Sequence, residues 1–240
     1  MRKKEFSKKQ KTEEMVSIIA HQLKSPVAAI KGYLEALISG DCGQINNFQK
    51  EYLSDALENL IKMSGFIDNL LDVSRIEEEH FEVKLKPTSL ENVAEKVISD
   101  LSVWTEASNC KVLFEKPESS LPKVLTDPDK IEKVIQNLVT NAVKYKKIGP
   151  GNIEIKIEKE GQKILFSCKD NGIGIPQEDL KKVFTKFYRS KKAMTIDIFA
   201  SGIGLYINKA TIELSGGKIW FVRNKKGGTT FYFTLPIVKN

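Results

Sequence analysis

An apolar stripe at helical spacing near the start of the chain sets the tightest limit on its architecture. At 100° per residue, Val16, Ile19, Leu23, Val27, Ile30, Leu34 and Leu37 gather on one side of a helix, within less than about a quarter-turn. This helix is expected over about residues 7–39, ended by Gly40-Asp41-Cys42-Gly43, residue types that tolerate left-handed backbone. A second is expected over about residues 46–80, where Leu53, Ala56, Leu60, Met63, Ile67 and Leu70 alternate three and four apart and Leu57 and Leu71 widen the stripe. Two helices of about 50 Å each, at 1.5 Å per residue, joined by a short loop form an antiparallel hairpin. One hairpin cannot bury both stripes, so two copies are expected to pair as a four-helix bundle.

His21 falls nearly opposite the first stripe, on a helix whose other side is committed to packing. It is therefore displayed to solvent. Pro26 cannot donate a backbone hydrogen bond, so the Gln22 carbonyl loses its partner and a bend is expected just after the histidine. An exposed histidine is, by itself, most often merely solvated.

With 240 residues, 41% of them apolar and 29% charged, the chain suits one large folded domain or two modest ones and is too apolar for disorder. No apolar run approaches the roughly 18 to 20 residues that span a bilayer, and the basic start lacks the apolar core of a signal peptide, so a soluble chain is expected. Cys42, Cys110 and Cys168 are scattered and odd in number, which points away from disulfides and zinc and towards a reducing cytoplasm. The net charge of +7 would suggest nucleic acid were it spread out. Instead Arg2, Lys3, Lys4, Lys8, Lys9 and Lys11 against Glu5 supply +5 of it, and nucleic acid is discounted. Such a cluster reads either as a frayed helix start or as the cytoplasmic flank of an upstream membrane helix.

After the hairpin the pattern changes. Residues 81–85 alternate like a short strand and lead to Pro87, so the expected division is a helical hairpin at 1–80, a linker at 81–87 and a second domain at 88–240. There Thr88 or Ser89 caps a helix to about residue 107, residues 111–115 and 123–126 read as strands, and Pro128 opens a helix to about residue 146. Strand pairs follow at 153–157 with 163–169 and at 218–223 with 229–235. The fold class is α+β: the hairpin, then an α/β sandwich with a mixed sheet.

Three stretches of the second domain carry chemistry. Asn137, Asn141 and Lys144, with Tyr145 beside them, share one side of a helix whose other side is apolar. Paired carboxamides offer neutral oxygens to a hydrated Mg²⁺, although asparagines on a solvated face give the same pattern. A strand ends in Asp170-Asn171-Gly172-Ile173-Gly174-Ile175-Pro176, where a carboxylate can accept an adenine amino hydrogen and glycines leave room for the ring. Gly202-Ile203-Gly204-Leu205 opens a helix with Ile207, Ala210 and Leu214 inward, bringing bare amides to a phosphate. Between them residues 189–201 fit neither period and are sited to close over a nucleotide, with Arg189, Lys191 and Lys192 to offset its charge.

The ordered motifs HQLKSP, NLVTNAVKY, DNGIGIP, FTKFYRS, SGIGLYI and GGTTF resemble, over about residues 8–238, a bacterial sensor histidine kinase of two-component signalling, in its dimerising phosphoacceptor and catalytic ATP-binding domains. The resemblance implies a homodimer that moves the γ-phosphoryl of ATP to His21 and then to an aspartate of a response regulator receiver domain. It implies ATP and Mg²⁺ as cofactors, with Asn137 and Asn141 holding the metal and phosphates and Lys144 and Arg189 approaching the triphosphate. Tyr145 matches the aromatic near adenine and Asp170 the adenine-reading acid, while Gly172, Gly174, Gly202 and Gly204 surround the nucleotide. Thr229 matches a polar residue at the back of the adenine pocket. The basic start, read as the flank of a membrane helix, would make this chain the cytoplasmic part of a longer protein with a membrane-anchored sensor portion.

Three departures stand out. Gln22 replaces the Glu or Asp that usually follows the histidine; an amide orients the ring but cannot take its proton. Ser25 stands where the family often has Thr or Asn, a position associated with orienting water in phosphatase action. Phe199-Ala200-Ser201 precedes Gly202 where a further glycine is common. These keep open a kinase-impaired, phosphatase-biased or scaffolding dimer that binds ATP for conformational control. A chaperone or topoisomerase ATPase of the wider superfamily has no need of a displayed His21 with Pro26.

Overall fold

The computed structural model describes residues 2–197, 200–225 and 227–238, and for residues 2–17 the backbone alone. The side chains of Val16 and of the basic cluster, and all of Phe199 and Lys226, lie outside the described residues. The chain divides into two compact units, Met1–Phe81 and Glu82–Asn240.

In the first unit α1 (Arg2–Ser39) runs on through Pro26 and is followed by α2 (Asn47–Glu77). Asn46 starts α2 with a reciprocal cap: its side chain accepts from the Gln49 amide at 2.8 Å, and the Gln49 side chain accepts from the Asn46 amide at 2.9 Å. The loop before it turns at Gly40 and Gly43, with φ of 89° and 109°, angles that favour glycine. Ala20, Val27, Leu60, Ile67 and Leu71 form the buried seam, flanked by Leu34 and Leu70.

Much of the remaining stripe is open. Ile19, Leu23 and Ile30 are 47%, 45% and 46% exposed, as are Met63 and Phe66 of α2 at 44% and 43%. The reason is angular. Relative to Ile19, Ala20 and Val27 lie about 100° and 80° round the helix, whereas Leu23 and Ile30 lie within about 40°. One partner helix covers only the first edge.

The second unit begins with β1 (Lys86–Thr88), antiparallel to β3 (Val124–Thr126) in a two-stranded sheet. The alternation at 81–85 forms no strand, pairing starts later, and Pro87 is accommodated in this short ladder. Helix α3 (Leu90–Ala107) is capped by Ser89, and β2 is Cys110–Glu115. Helix α4 (Pro128–Lys144) is capped by Asp127, with proline in its first turn. Then come β4 (Gly151–Glu160), β5 (Lys163–Asp170), a short α5 (Lys191–Ile196), α6 (Gly204–Leu214), β6 (Lys218–Arg223) and β7 (Thr229–Pro236).

The main sheet has the order β2-β4-β5-β7-β6, with β2 parallel to β4 and the other pairs antiparallel, the mixed sheet expected. Inward residues of β4, β5 and β7, such as Ile155, Phe166 and Phe233, join α3, α4 and α6 residues in one core. Phe166 and Phe233 stack there with centroids 4.6 Å apart.

Two readings of local structure need correction. Residues 189–201 contain α5, whose start is capped by the Ser190 hydroxyl. In α6, Leu214 points outward at 53% exposure and the buried set is Asn208, Thr211 and Ile212. The helix is turned so that the Asn208 side chain bonds inward to α4.

Candidate functional site

Helix α4 presents two unlike faces. Ile131, Ile135, Leu138 and Val139 are buried in the core, which places Asn137 and Asn141, one turn apart, on the half-buried opposite side. The Asn141 Nδ2 donates to Asn137 Oδ1 at 3.1 Å. A second donor reaches the same oxygen, Asn208 Nδ2 of α6, also at 3.1 Å. Two donors use both lone pairs of the Asn137 oxygen, while among the described residues no donor meets Asn141 Oδ1.

The start of α6 closes on this pair. A Cβ on Gly204 would stand 2.4 Å from Asn137 Nδ2, so the carboxamide fits only because residue 204 has no side chain. No side chain caps α6, leaving its first amides for another acceptor. Gly202, with φ of 69°, packs on the Phe187–Arg189 turn, where a Cβ would meet the Tyr188 carbonyl oxygen at 2.8 Å. The Tyr188 hydroxyl in turn donates to buried Asp179 and anchors the base of the segment that follows.

Lys144 and Arg189 both meet that segment. Lys144 Nζ lies 3.2 Å from Asp197 Oδ2. One Arg189 guanidinium nitrogen donates to the Ala193 carbonyl at 3.1 Å and to the Asp197 carbonyl. Asp197 thus stands on both cations expected to approach a triphosphate. Tyr145 ends α4, and its carbonyl accepts from the Ile173 amide at 2.9 Å, tying the helix end to the loop after β5. Burial, and then Asp197, push its phenol above the usual range, with Arg189 opposing.

Asp170 sits half-buried at the end of β5. Its Oδ1 accepts from the Gly172 amide at 2.7 Å and the Thr229 amide at 3.1 Å. Oδ2 receives no donor among the described residues, so one edge of the carboxylate is left for an amino group. Burial pushes this carboxyl up, while the two amides and the Lys147 ammonium hold it back. Gly172 is pressed between neighbours, since a Cβ there would stand 2.4 Å from the Tyr145 carbonyl oxygen. Gly174 takes φ of 70° and faces Gly228. Thr229 itself is buried.

Three participants escaped the sequence reading. Asn208 lies one turn after Gly204, a spacing that was the available signal. Asn224 holds the Asp170 carbonyl at 3.0 Å and accepts from the Thr230 hydroxyl at 2.7 Å. Asp197 lay in a stretch read for its cations alone.

Among the described residues no group of three or more His, Cys, Asp or Glu is placed to hold a metal. A divalent cation here would draw on a carboxamide oxygen, water and phosphate, which suits Mg²⁺. In the helical unit His21, Gln22 and Ser25 are all exposed on α1. Ser25 is one turn from His21 and shares its side of the helix. Nearby Lys24 bridges to Asp68 of α2 at 2.8 Å.

Residues 11–79 match the family described as the His Kinase A (phospho-acceptor) domain, and residues 126–239 the histidine kinase-, DNA gyrase B- and HSP90-like ATPases. The chain is 31% identical over 229 residues to the sensor histidine kinase WalK of Bacillus subtilis (strain 168), covering 95% of this chain and 37% of that relative. It is 30% identical over 225 residues to the sensor protein kinase WalK of Staphylococcus haemolyticus (strain JCSC1435), covering 93% of this chain and 36% of that one. It therefore spans little more than a third of their length. Full-length ShkA in complex with AMPPNP shares the fold, with a TM-score of 0.76 at 19% identity over 95% of this chain and 46% of that one. The catalytic domain of the histidine kinase ThkA gives 0.57 at 26% identity, over 65% of this chain and 99% of that one.

Proposed function

The chain belongs to the sensor histidine kinases of two-component signalling, and from that premise we propose that it transfers the γ-phosphoryl group of ATP to His21 and from there to an aspartate of a response regulator receiver domain. The observation that carries this reading is the coexistence of an acceptor histidine on an exposed helix face with a carboxamide pair, a glycine-led helix start and a strand-end acid in the second unit.

Asp170 Oδ2 accepts from the adenine amino group and Tyr145 lies beside the ring. Asn141 and Asn137 build the side of the site that takes Mg²⁺ and the phosphates, with Lys144 and Arg189 offsetting charge. Bound Mg²⁺ supplies neutralisation of phosphate oxygens. Phosphoryl transfer needs positioning and charge stabilisation more than covalent help, and a neutral imidazole is a competent nucleophile, so these side chains suffice for the first step.

The protein acts as a homodimer. Support comes from the open row Ile19, Leu23 and Ile30 with Met63 and Phe66, which pairing of two hairpins would bury while leaving His21 outside. Among the described residues no helix is long and apolar enough to cross a membrane. The chain is the cytoplasmic kinase part of a longer, membrane-anchored sensor, a reading supported by its spanning about a third of the WalK proteins.

Ser25, one turn from His21, orients a water that hydrolyses the regulator's phosphoaspartate. Gln22 favours a second reading, in which the dimer is biased towards this phosphatase or a scaffolding role and ATP sets its conformation. Incubation with Mg²⁺ and γ-labelled ATP separates the two. Acid-labile, base-stable label that vanishes in His21→Ala is expected; bound nucleotide without label would leave the phosphatase or scaffold.

A further inference from the structure

Asn208 is 3% exposed, on the α6 face that also buries Thr211 and Ile212. A carboxamide at such a position costs free energy unless it is hydrogen-bonded, and an aliphatic side chain would fill the space without that cost. Its Nδ2 goes to Asn137 Oδ1. That oxygen already receives Asn141 Nδ2 from the other side, so the three carboxamides form a chain with Asn137 as the shared acceptor.

The chain fixes every orientation in it. With both lone pairs of Asn137 Oδ1 engaged, its Nδ2 is turned to the close approach at Gly204. Asn141, held as a donor through Nδ2, must present Oδ1 away from Asn137. Helix α6 is a firm base for this, because the Ser215 hydroxyl donates to the Thr211 carbonyl at 2.8 Å and lies 3.0 Å from the Thr126 hydroxyl of β3.

We infer that Asn208 is a positioning residue for the nucleotide–Mg²⁺ site: it locks the Asn137 carboxamide, which makes Asn141 Oδ1 the protein oxygen that meets the cation. This rests on the nucleotide reading given above. It also separates the two asparagines, Asn141 as ligand and Asn137 as the piece that aims it. Without Asn208 the Asn137 amide is free to turn over, and Asn141 loses its fixed donor role. The cost falls on the metal-dependent part of binding, because Asp170 and Tyr145 are untouched.

The test is ATP binding by calorimetry to the full chain across a Mg²⁺ titration and in EDTA, for wild type, Asn208→Leu and Asn208→Asp, with thermal melting of each. The Leu variant fills the space without a donor; the Asp variant keeps the shape but offers only acceptors. Both are expected to need roughly tenfold more Mg²⁺ for half-maximal binding, the scale on which outer partners of metal ligands act, with affinity in EDTA unchanged. A wild-type Mg²⁺ requirement in both variants, or equal losses with and without Mg²⁺, would overturn the inference. Should Asn208→Leu fail to fold, the isosteric Asp variant decides alone. Wild type that binds no ATP would defeat the nucleotide reading itself, and the inference with it.

Discussion

The Asp197 carboxylate lies 3.2 Å from the Lys144 ammonium, while the Asp197 carbonyl accepts from Arg189. A single residue thus engages both cations that the proposed reading assigns to the triphosphate. On that reading nucleotide entry exchanges the Asp197 carboxylate for phosphate at Lys144 and the Asp197 carbonyl for phosphate at Arg189.

Asp197→Asn removes the competing charge and should tighten ATP binding. The pair is partly exposed, with side-chain exposures of 43% for Lys144 and 19% for Asp197. Exposed ion pairs contribute about 0.2–1 kcal/mol, so a gain of up to about fivefold is expected, shrinking as salt is raised. Calorimetric titrations at low and high salt check both parts. A variant that binds more weakly would mean that Asp197 supports the bound state instead.

Asp170 should set both base choice and pH dependence. A hydrogen bond from the adenine amino group to a carboxylate is worth about 1.5–3 kcal/mol, so ATP should bind roughly ten- to a hundredfold better than the inosine analogue, which lacks that group. Asp170→Asn should erase the difference. On the proposed reading the adenine amino group meets the ionised form, and burial raises the folded carboxyl above its ordinary value. Affinity is therefore expected to fall, on acidification, at a higher pH than an unperturbed aspartate would give. The same shift means that ionised Asp170 opposes folding once pH exceeds its unfolded pKa, so the Asn variant should melt no lower than wild type while binding ATP worse. Competition titrations and melting curves at several pH values measure these effects.

How far this was legible in the sequence depends on whether the signal was local. Caps and periods were: Asn137 and Asn141 follow from the apolar positions between them, and Ser89 and Pro128 mark helix starts found at Leu90 and Pro128. Asn208 was not, because an inward asparagine is recognisable only when its partner on another helix is known. For the same reason the period alone places Leu214 inward, although the Asn208 contact decides how α6 is turned. The open half of the α1 stripe was legible as apolar, and its exposure within one chain is what a hairpin too narrow to cover it must show.

Asp127 carries a stability prediction in the ATP-binding unit. Its carboxylate accepts from the Asp129 and Lys130 amides at 3.1 Å each, capping α4, and from the Lys84 amide at 2.9 Å. Burial pushes the carboxyl up, but the three amides outweigh it and the folded pKa lies below the ordinary value. A depressed acid contributes stability that is present above its unfolded pKa and lost as pH falls through the folded one. Asp127→Ala should destabilise by about 0.5–2 kcal/mol at neutral pH, the range for a lost cap, and the deficit should shrink below about pH 4. Denaturant unfolding at pH 7 and at pH 3 provides the comparison.

Gln22 offers the sharpest test of the kinase chemistry. It follows His21 on the exposed side of α1, where an acid would hold and deprotonate the imidazole. An amide has the same shape and can orient the ring, so geometry is kept and proton removal is left to water. General-base assistance contributes about 10²- to 10⁴-fold, which bounds what Gln22→Glu could restore. Wild type should therefore autophosphorylate slowly and the Glu variant faster, with ATP affinity the same because residue 22 belongs to the helical unit. Single-turnover labelling with γ-labelled ATP at saturating nucleotide gives the two rates. A Glu variant no faster than wild type would show that proton removal does not limit the step, and that Gln22 is not what sets its rate.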